Sequence, residues 1–201
     1  MERYVDKEEK RKKFYWSDHL FLSYLRDIAF WIVGIILAYS LLFRVVTVSG
    51  PSMNTTLVDG DCLLLLGNAL AGEPEHGDII VASKKTYDSG VPIIKRVIAT
   101  EGQTVDIDFQ TGTVYVDGIA LEERYTSTPT TRSEGVAFPL TVDEGCIFVM
   151  GDNRDVSKDS RSPDIGLIDK REVVGKAVFV LFPGNNSGKQ ERNFARIGVL
   201  D

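Results

Sequence analysis

Histidine is almost missing: the 201 residues contain two, His19 and His76. A Ser-His-Asp triad or a histidine-rich zinc site needs an imidazole at the chemistry, so both are poorly served here. His19 precedes a long apolar run, and His76 lies in PEHGD between two strand-like runs, where a turn residue is the plainer reading. Cysteine is as scarce. Cys62 and Cys146 stand far apart with no CxxC spacing, which reads as two buried thiols on strands; a disulfide would need close Cα atoms and an oxidising compartment. Basic charge is in deficit too: 23 Lys and Arg against 29 Asp and Glu give a formal charge of -6. A nucleic-acid binder normally carries a dense basic stripe, so that class is set aside. Long helical periodicity is missing beyond Val48, which excludes a mostly helical domain there.

What the chain has is one long apolar run. IAFWIVGIILAYSLLF, from Ile28 to Phe43, carries no charge. As a helix it would reach about 24 Å, somewhat short of the ~30 Å hydrocarbon core of a bilayer. Extending it through Arg44 to Val48 makes up the difference if Arg44 snorkels to the interface, so residues 28–48 are expected to form a transmembrane anchor. A cleaved leader would need a small-residue Ala-x-Ala signal after Phe43, which is missing. Lys7, Lys10, Arg11, Lys12 and Lys13, with Arg26 at the helix foot, put residues 1–27 in the cytoplasm by the positive-inside rule. Residues 49–201 are then extracytoplasmic.

Beyond residue 60 the sequence reads as strands. CLLLL, DIIVAS, PIIKRVIAT, TVDID, GTVYVDG, CIFVM and VVGKAVFVLF are short runs rich in β-branched and aromatic residues, separated by turn signals such as HGD, EGQ, TG and DG. The fold class expected is all-β, an antiparallel sheet domain behind one N-terminal helix. Thr126–Gly135, TSTPTTRSEG, reads as an exposed, mobile loop.

Three segments invite a chemical reading. VSGPSMNTTL, Val48 to Leu57, offers two serines among turn residues with no acid or histidine beside them. GDNRDVSKDSR, Gly151 to Arg161, is dense in acids, yet no register puts glycine sixth and glutamate twelfth as a calcium EF-hand loop requires; it is either a solvated turn or a buried ionic network. Lys95 sits inside an apolar strand, pointing either to solvent or into an apolar surface. An exposed lysine, with a pKa of ~10.4, is only about 0.04% unprotonated at pH 7; burial that lowers the pKa to ~8 costs roughly 3.3 kcal/mol and makes about 10% available as a base. An apolar pocket can thus let lysine do what histidine does elsewhere.

Taken together, the three segments resemble the bacterial type I signal peptidases, serine proteases with a Ser/Lys dyad. The family's SMxPTL is similar to Ser52–Leu57, with Thr55 in place of proline; its KRVxGxxGD is similar to Lys95–Gln103, with Ala99 for glycine and Gln103 for aspartate; its GDNRxxSxDSR is matched at every specified position by Gly151–Arg161. Their order and the preceding anchor agree as well. The resemblance implies Ser52 as nucleophile and Lys95 as its base. Ser157 would orient the lysine amine, and Asp152, Asp159 and Arg161 would hold the surrounding loop. Val46, Val48, Met53, Leu63 and Ile94 would line shallow pockets for small substrate side chains. The backbone N–H of Ser52 would meet the oxyanion, and where some members add a serine hydroxyl two residues earlier this chain has Gly50. The substrates implied are signal peptides of secreted preproteins, cut at the membrane surface by a monomer held in the lipid bilayer, with no metal, cofactor or nucleic acid. Two other readings are a self-cleaving repressor-type Ser/Lys protease, which would be soluble, and an inactive membrane-tethered β domain that binds exported proteins.

Overall fold

The computed structural model of the chain describes residues 2–185 and 192–200. Two compact units emerge, residues 1–41 and 42–201. The first is a single helix, α1 (Glu2–Leu42). Its segment Leu20–Ser40 has a mean hydropathy of 1.9 and none of it is buried within the protein. Phe30, Trp31 and Ile35 stand 65–75% exposed, which only an apolar surrounding tolerates over so many turns. Arg26 and Asp27 fall inside this stretch and pair with each other at 2.9 Å, which lessens the cost of placing charge near lipid. Lys7, Lys10, Arg11, Lys12, Lys13 and His19 lie on the helix, and their side chains are outside the described ones.

The helix does not continue to Val48 as expected. It ends at Leu42, and β1 (Phe43–Thr47) begins at once. FRVVT is β-branched at three of its positions and finds an antiparallel partner in β2 (Cys62–Gly67), Phe43 opposite Leu66 and Thr47 opposite Cys62. The length needed for a membrane span comes instead from residues upstream of Ile28, at Leu20 to Asp27.

The second unit is antiparallel β throughout, as the strand-like runs imply. After β2 come a single helical turn, α2 (Asn68–Ala71), then β3 (Ile79–Ala82), β4 (Ile93–Thr100), β5 (Thr104–Asp108), β6 (Thr113–Val116), β7 (Ile119–Ala120), β8 (Leu140–Thr141), β9 (Cys146–Met150), β10 (Ile168–Asp169), β11 (Val173–Phe182) and β12 (Gly198–Val199). One sheet runs β1-β2-β11-β3-β4-β9-β10, with β12 also on β11; a smaller one runs β7-β6-β5-β8. Alternation sets the faces: in β2 Leu63 and Leu65 are buried while their neighbours are not.

The central strand β4 departs from alternation, with Lys95 through Ala99 all buried. It lies between β3 and β9, and both of its faces are covered: Ile98 and Ala99 belong to an apolar cluster with Val105, Val114 and Phe148, whereas Val97 belongs to another with Ile80, Val149 and Ile168. A strand covered on both sides reads as a continuous apolar run, and Lys95 is therefore drawn inside.

The loop Thr126–Gly135 is not the free segment its composition suggests. Thr130 is fully buried, and its amide donates to Gly112 O at 2.9 Å. Gly112 has φ +75 and so little space that a Cβ there would lie 2.3 Å from Pro129 Cβ. Only glycine lets the two backbones approach this closely.

Candidate active site

The loop between β1 and β2 carries Ser52. Its base is closed by Val48 N–H to Asp61 O at 2.8 Å and Gly60 N–H to Val48 O at 2.9 Å. Met53 and Leu57 are its apolar anchors, 1% and 0% exposed, packed with Val48, Leu63 and Ile79. The Asp61 carboxylate, fully buried, accepts from Val58 N, Gly184 N and the Arg196 guanidinium. Such a charge is stable inside only because every lone pair is used.

From this platform Ser52 Oγ lies 3.0 Å from Lys95 Nζ. The amine also donates to Ile94 O at 3.1 Å and is 4% exposed. Desolvation drives its pKa down from 10.5 to about 8, against the opposing fields of Asp159, Glu134 and Asp152, with Arg161 adding to the depression. The neutral amine is thus accessible near physiological pH, within contact of a hydroxyl.

The loop after β9 ties these parts together. Asp152 takes a bidentate pair of bonds from Arg96, each 2.9 Å, with both groups buried, and a further bond from Thr56 Oγ1. Asn153 holds the nucleophile's backbone: its amide donates to Ser52 O at 3.0 Å and its Nδ2 to Pro51 O at 3.1 Å. Asp159 accepts from Gly151 N at 3.0 Å and from Arg161 Nε and Nη2 at 2.8 and 2.9 Å, all without exposure. Between the readings of the sequence, solvated turn or buried network, the structure decides for the network. At Gly151 a Cβ would lie 2.2 Å from Ser157 Oγ and 2.5 Å from Ser52 O. That glycine brings Ser157 against the Ser52 backbone, where the Ser157 hydroxyl is buried with no hydrogen-bond partner among the described residues.

Beside Ser52 and Lys95 opens a cleft of about 240 Å³ lined by Val46, Val48, Met53 and Ile94 together with Tyr87 and Val91. Four of the five residues expected at a substrate pocket are thus brought together. Leu63 is not: it is fully buried in the apolar cluster that also contains Val48 and Met53, because the inward face of β2 is core. Among the departures from the motifs, Gln103 closes the turn after β4, its Oε1 accepting from Thr100 N at 2.9 Å as a carboxylate could.

Sequence reading passed over several residues of this site. Arg96 was legible as half of the KR pair and Thr56 only as a member of a motif, whereas Arg154 belongs with Asp152, Asp159 and Arg161 to the buried network that the sequence offered as one reading of Gly151–Arg161. Arg154 is 1% exposed and bonds Thr130, Gly151 O and Glu123. Tyr125, whose ring lies 4.2 Å from the Arg96 guanidinium, left no signal at all.

The family profile described as Signal peptidase, peptidase S26, matches residues 21–182. The chain is 37% identical over 176 residues to Signal peptidase I of Bacillus licheniformis, covering 80% of this chain and 92% of that one. To Signal peptidase I T of Bacillus subtilis (strain 168) it is 33% identical over 192 residues, covering 92% and 95%. A solved signal peptidase I structure from Enterococcus faecalis V583 shares 30% identity, with a TM-score of 0.44 over 52% of this chain and 97% of that one.

Proposed function

The chain belongs to the signal peptidase family, peptidase S26, and from that premise we propose that Ser52 and Lys95 are the dyad with which it works. The protein is a membrane-anchored hydrolase that removes signal peptides from preproteins. The observation that carries the dyad is the 3.0 Å separation of Ser52 Oγ from a buried lysine amine whose pKa is brought to about 8.

The reaction follows from that contact. Neutral Lys95 takes the Ser52 proton as Oγ attacks the carbonyl before the scissile bond. The backbone N–H of Ser52 meets the oxygen as it gains charge. Lys95, now an ammonium, gives the proton to the leaving amine, and the carbon–nitrogen bond breaks to leave an ester on Ser52. A water, deprotonated by the same amine, hydrolyses the ester and restores both groups. Ser157, expected to orient the amine, makes no hydrogen bond to it; the bonds that hold the amine go to Ser52 Oγ and Ile94 O, and the pairs Arg96–Asp152 and Asp159–Arg161 hold the loop without reacting. The family resemblance implies cleavage after a small residue with another two positions before it, and Val46, Val48, Met53 and Ile94 line the cleft that would take those side chains. Leu63 supports that wall from the core.

Lys7 to Lys13 and Arg26 place the N-terminus in the cytoplasm. The anchor, residues 20–40 in place of 28–48, then leaves the catalytic unit outside, in contact with the outer lipid surface and acting as a monomer.

The test uses the full chain, extracted in detergent, with a preprotein and sequencing of the new N-terminus. Wild type is expected to cut after the small residue, and Ser52→Ala and Lys95→Ala to leave the preprotein intact while unfolding at temperatures near that of wild type. Undiminished cleavage by either variant would reject the dyad.

A further inference from the structure

The loop that carries Ser52 is bonded to Asp152 and Asn153 through Thr56 Oγ1 and the Ser52 carbonyl. It is held a second time by Arg196, which lies 140 residues beyond Thr56 in the chain and belongs to none of the three motifs. The Arg196 guanidinium bridges two points of the loop. Nη2 donates to Thr56 O at 2.9 Å and to Asp61 Oδ2 at 2.7 Å, and Nη1 donates to Asp61 Oδ1 at 2.8 Å. A planar fork with donors on both nitrogens suits this contact, which a lysine ammonium reproduces only in part. Asp61 is fully buried, so the pairing also neutralises a carboxylate that is costly to leave alone there.

Arg196 has a firm seat. It ends a short turn, Phe194–Arg196, at whose start Asn193 Oδ1 accepts from Ala195 N at 3.1 Å. Phe194 packs edge-on against Phe182, with ring centroids 5.7 Å apart. Beyond Ile197, β12 pairs with β11, and Leu200 N donates to Val178 O at 3.0 Å. The Leu200 side chain packs against the apolar cluster of Val48, Met53 and Leu57.

The contact reaches Ser52 through one peptide. Thr56 O and Leu57 N belong to the same rigid plane. The oxygen accepts from Arg196, while the amide donates to Met53 O at 2.8 Å, beside the serine. Asn54 N donates to Pro51 O at 3.1 Å, so the turn from Pro51 to Leu57 is closed on itself with Ser52 inside it. Without Arg196 the Thr56–Leu57 peptide is free to tilt, and the Ser52 hydroxyl moves with it from its 3.0 Å contact with Lys95.

We propose that Arg196 is a positioning residue for the peptidase reaction, setting the Ser52 hydroxyl against the Lys95 amine by clamping the Thr56 carbonyl to the Asp61 carboxylate. The inference rests on Ser52 being the nucleophile. Arg196 acts through the turn and touches no reacting atom.

The test measures kcat and KM separately for the full chain in detergent acting on a preprotein, beside thermal unfolding. Arg196→Lys keeps the charge that Asp61 meets. It is expected to unfold close to wild type, yet to lose about 3–10-fold in kcat with KM changed by less than about 2-fold. Arg196→Ala is expected to lose ~10–100-fold in kcat. Guanidinium ion at a non-denaturing concentration should restore part of that loss, whereas ammonium at the same concentration should not. The pH midpoint of kcat/KM should stay at the wild-type value in both variants, because Lys95 keeps its surroundings. A lysine variant of wild-type kcat, a loss confined to KM, a displaced midpoint, or an alanine variant that guanidinium leaves unchanged overturns the proposal. Should Arg196→Ala fail to fold, the kcat of Arg196→Lys decides. Failure of the dyad itself reads differently, as cleavage that persists in Ser52→Ala.

Discussion

Lys95 bears a conflict between stability and activity. Its folded pKa of about 8 lies below the 10.5 of an exposed lysine, so between those values the unfolded chain holds a proton that the folded chain has lost. Stability therefore rises with pH through that window, and below about pH 8 the folded state bears the full penalty, about 3 kcal/mol by linkage. Lys95→Met is expected to raise stability by ~1–3 kcal/mol at pH 7, part of the gain being offset by the lost bonds to Ser52 and Ile94. Its cleavage rate should fall by ~10³-fold or more. Urea denaturation of both proteins at pH 7 and at pH 10.5 checks the sign, since the advantage of methionine should shrink at the higher pH. In wild type the same titration predicts a kcat/KM that climbs with pH and levels off above about 8.

At the level of elements, the site depends on two loops meeting beside β4. The Ser52 loop is anchored by Met53, Leu57 and Asp61, and the β9 loop is fixed by its arginine pairs. The two touch at Gly151. A methyl group there would meet Ser157 Oγ at 2.2 Å and the Ser52 carbonyl oxygen at 2.5 Å. The oxygen is backbone and cannot rotate away, so Gly151→Ala must separate the loops. The expected cost is about 2 kcal/mol or more in unfolding free energy, with a fall in kcat of ~10²-fold from the displaced nucleophile. Thermal unfolding together with single-turnover kinetics would show it; an alanine variant of undiminished kcat would mean that the contact does not position Ser52.

At the scale of the whole molecule, the proposed dyad lies in the compact unit of residues 42–201. A chain beginning at Leu42 is expected to fold and to cut a soluble peptide with the same pH midpoint as the full chain. With a preprotein embedded in vesicles its kcat/KM should drop, since tethering no longer raises the local concentration of enzyme at the substrate. Comparing the two substrates separates anchoring from chemistry. Equal losses on both would mean that the helix supports the fold.

The sequence by itself determined much. The seven strand-like runs became β2, β3, β4, β5, β6, β9 and β11, because alternation and turn residues are local signals. The third motif was complete, so its ionic character was readable residue by residue. Local signals misled at the junction after Leu42, where VVT is as apolar as a helix end but gains a partner strand contributed by residues 62–67. They misled again at Leu63, whose apolarity fits a pocket as well as a core, and at Thr130, whose polar neighbours hide its burial. The fate of Lys95 was undecidable from its own strand: exposed and buried were both consistent with IIKRVI. Only tertiary structure, by covering both faces of β4 and bringing Ser52 across from another loop, buried that amine within 3.0 Å of a serine hydroxyl. Burial and proximity are properties of chain segments remote in sequence, and no local pattern encodes them.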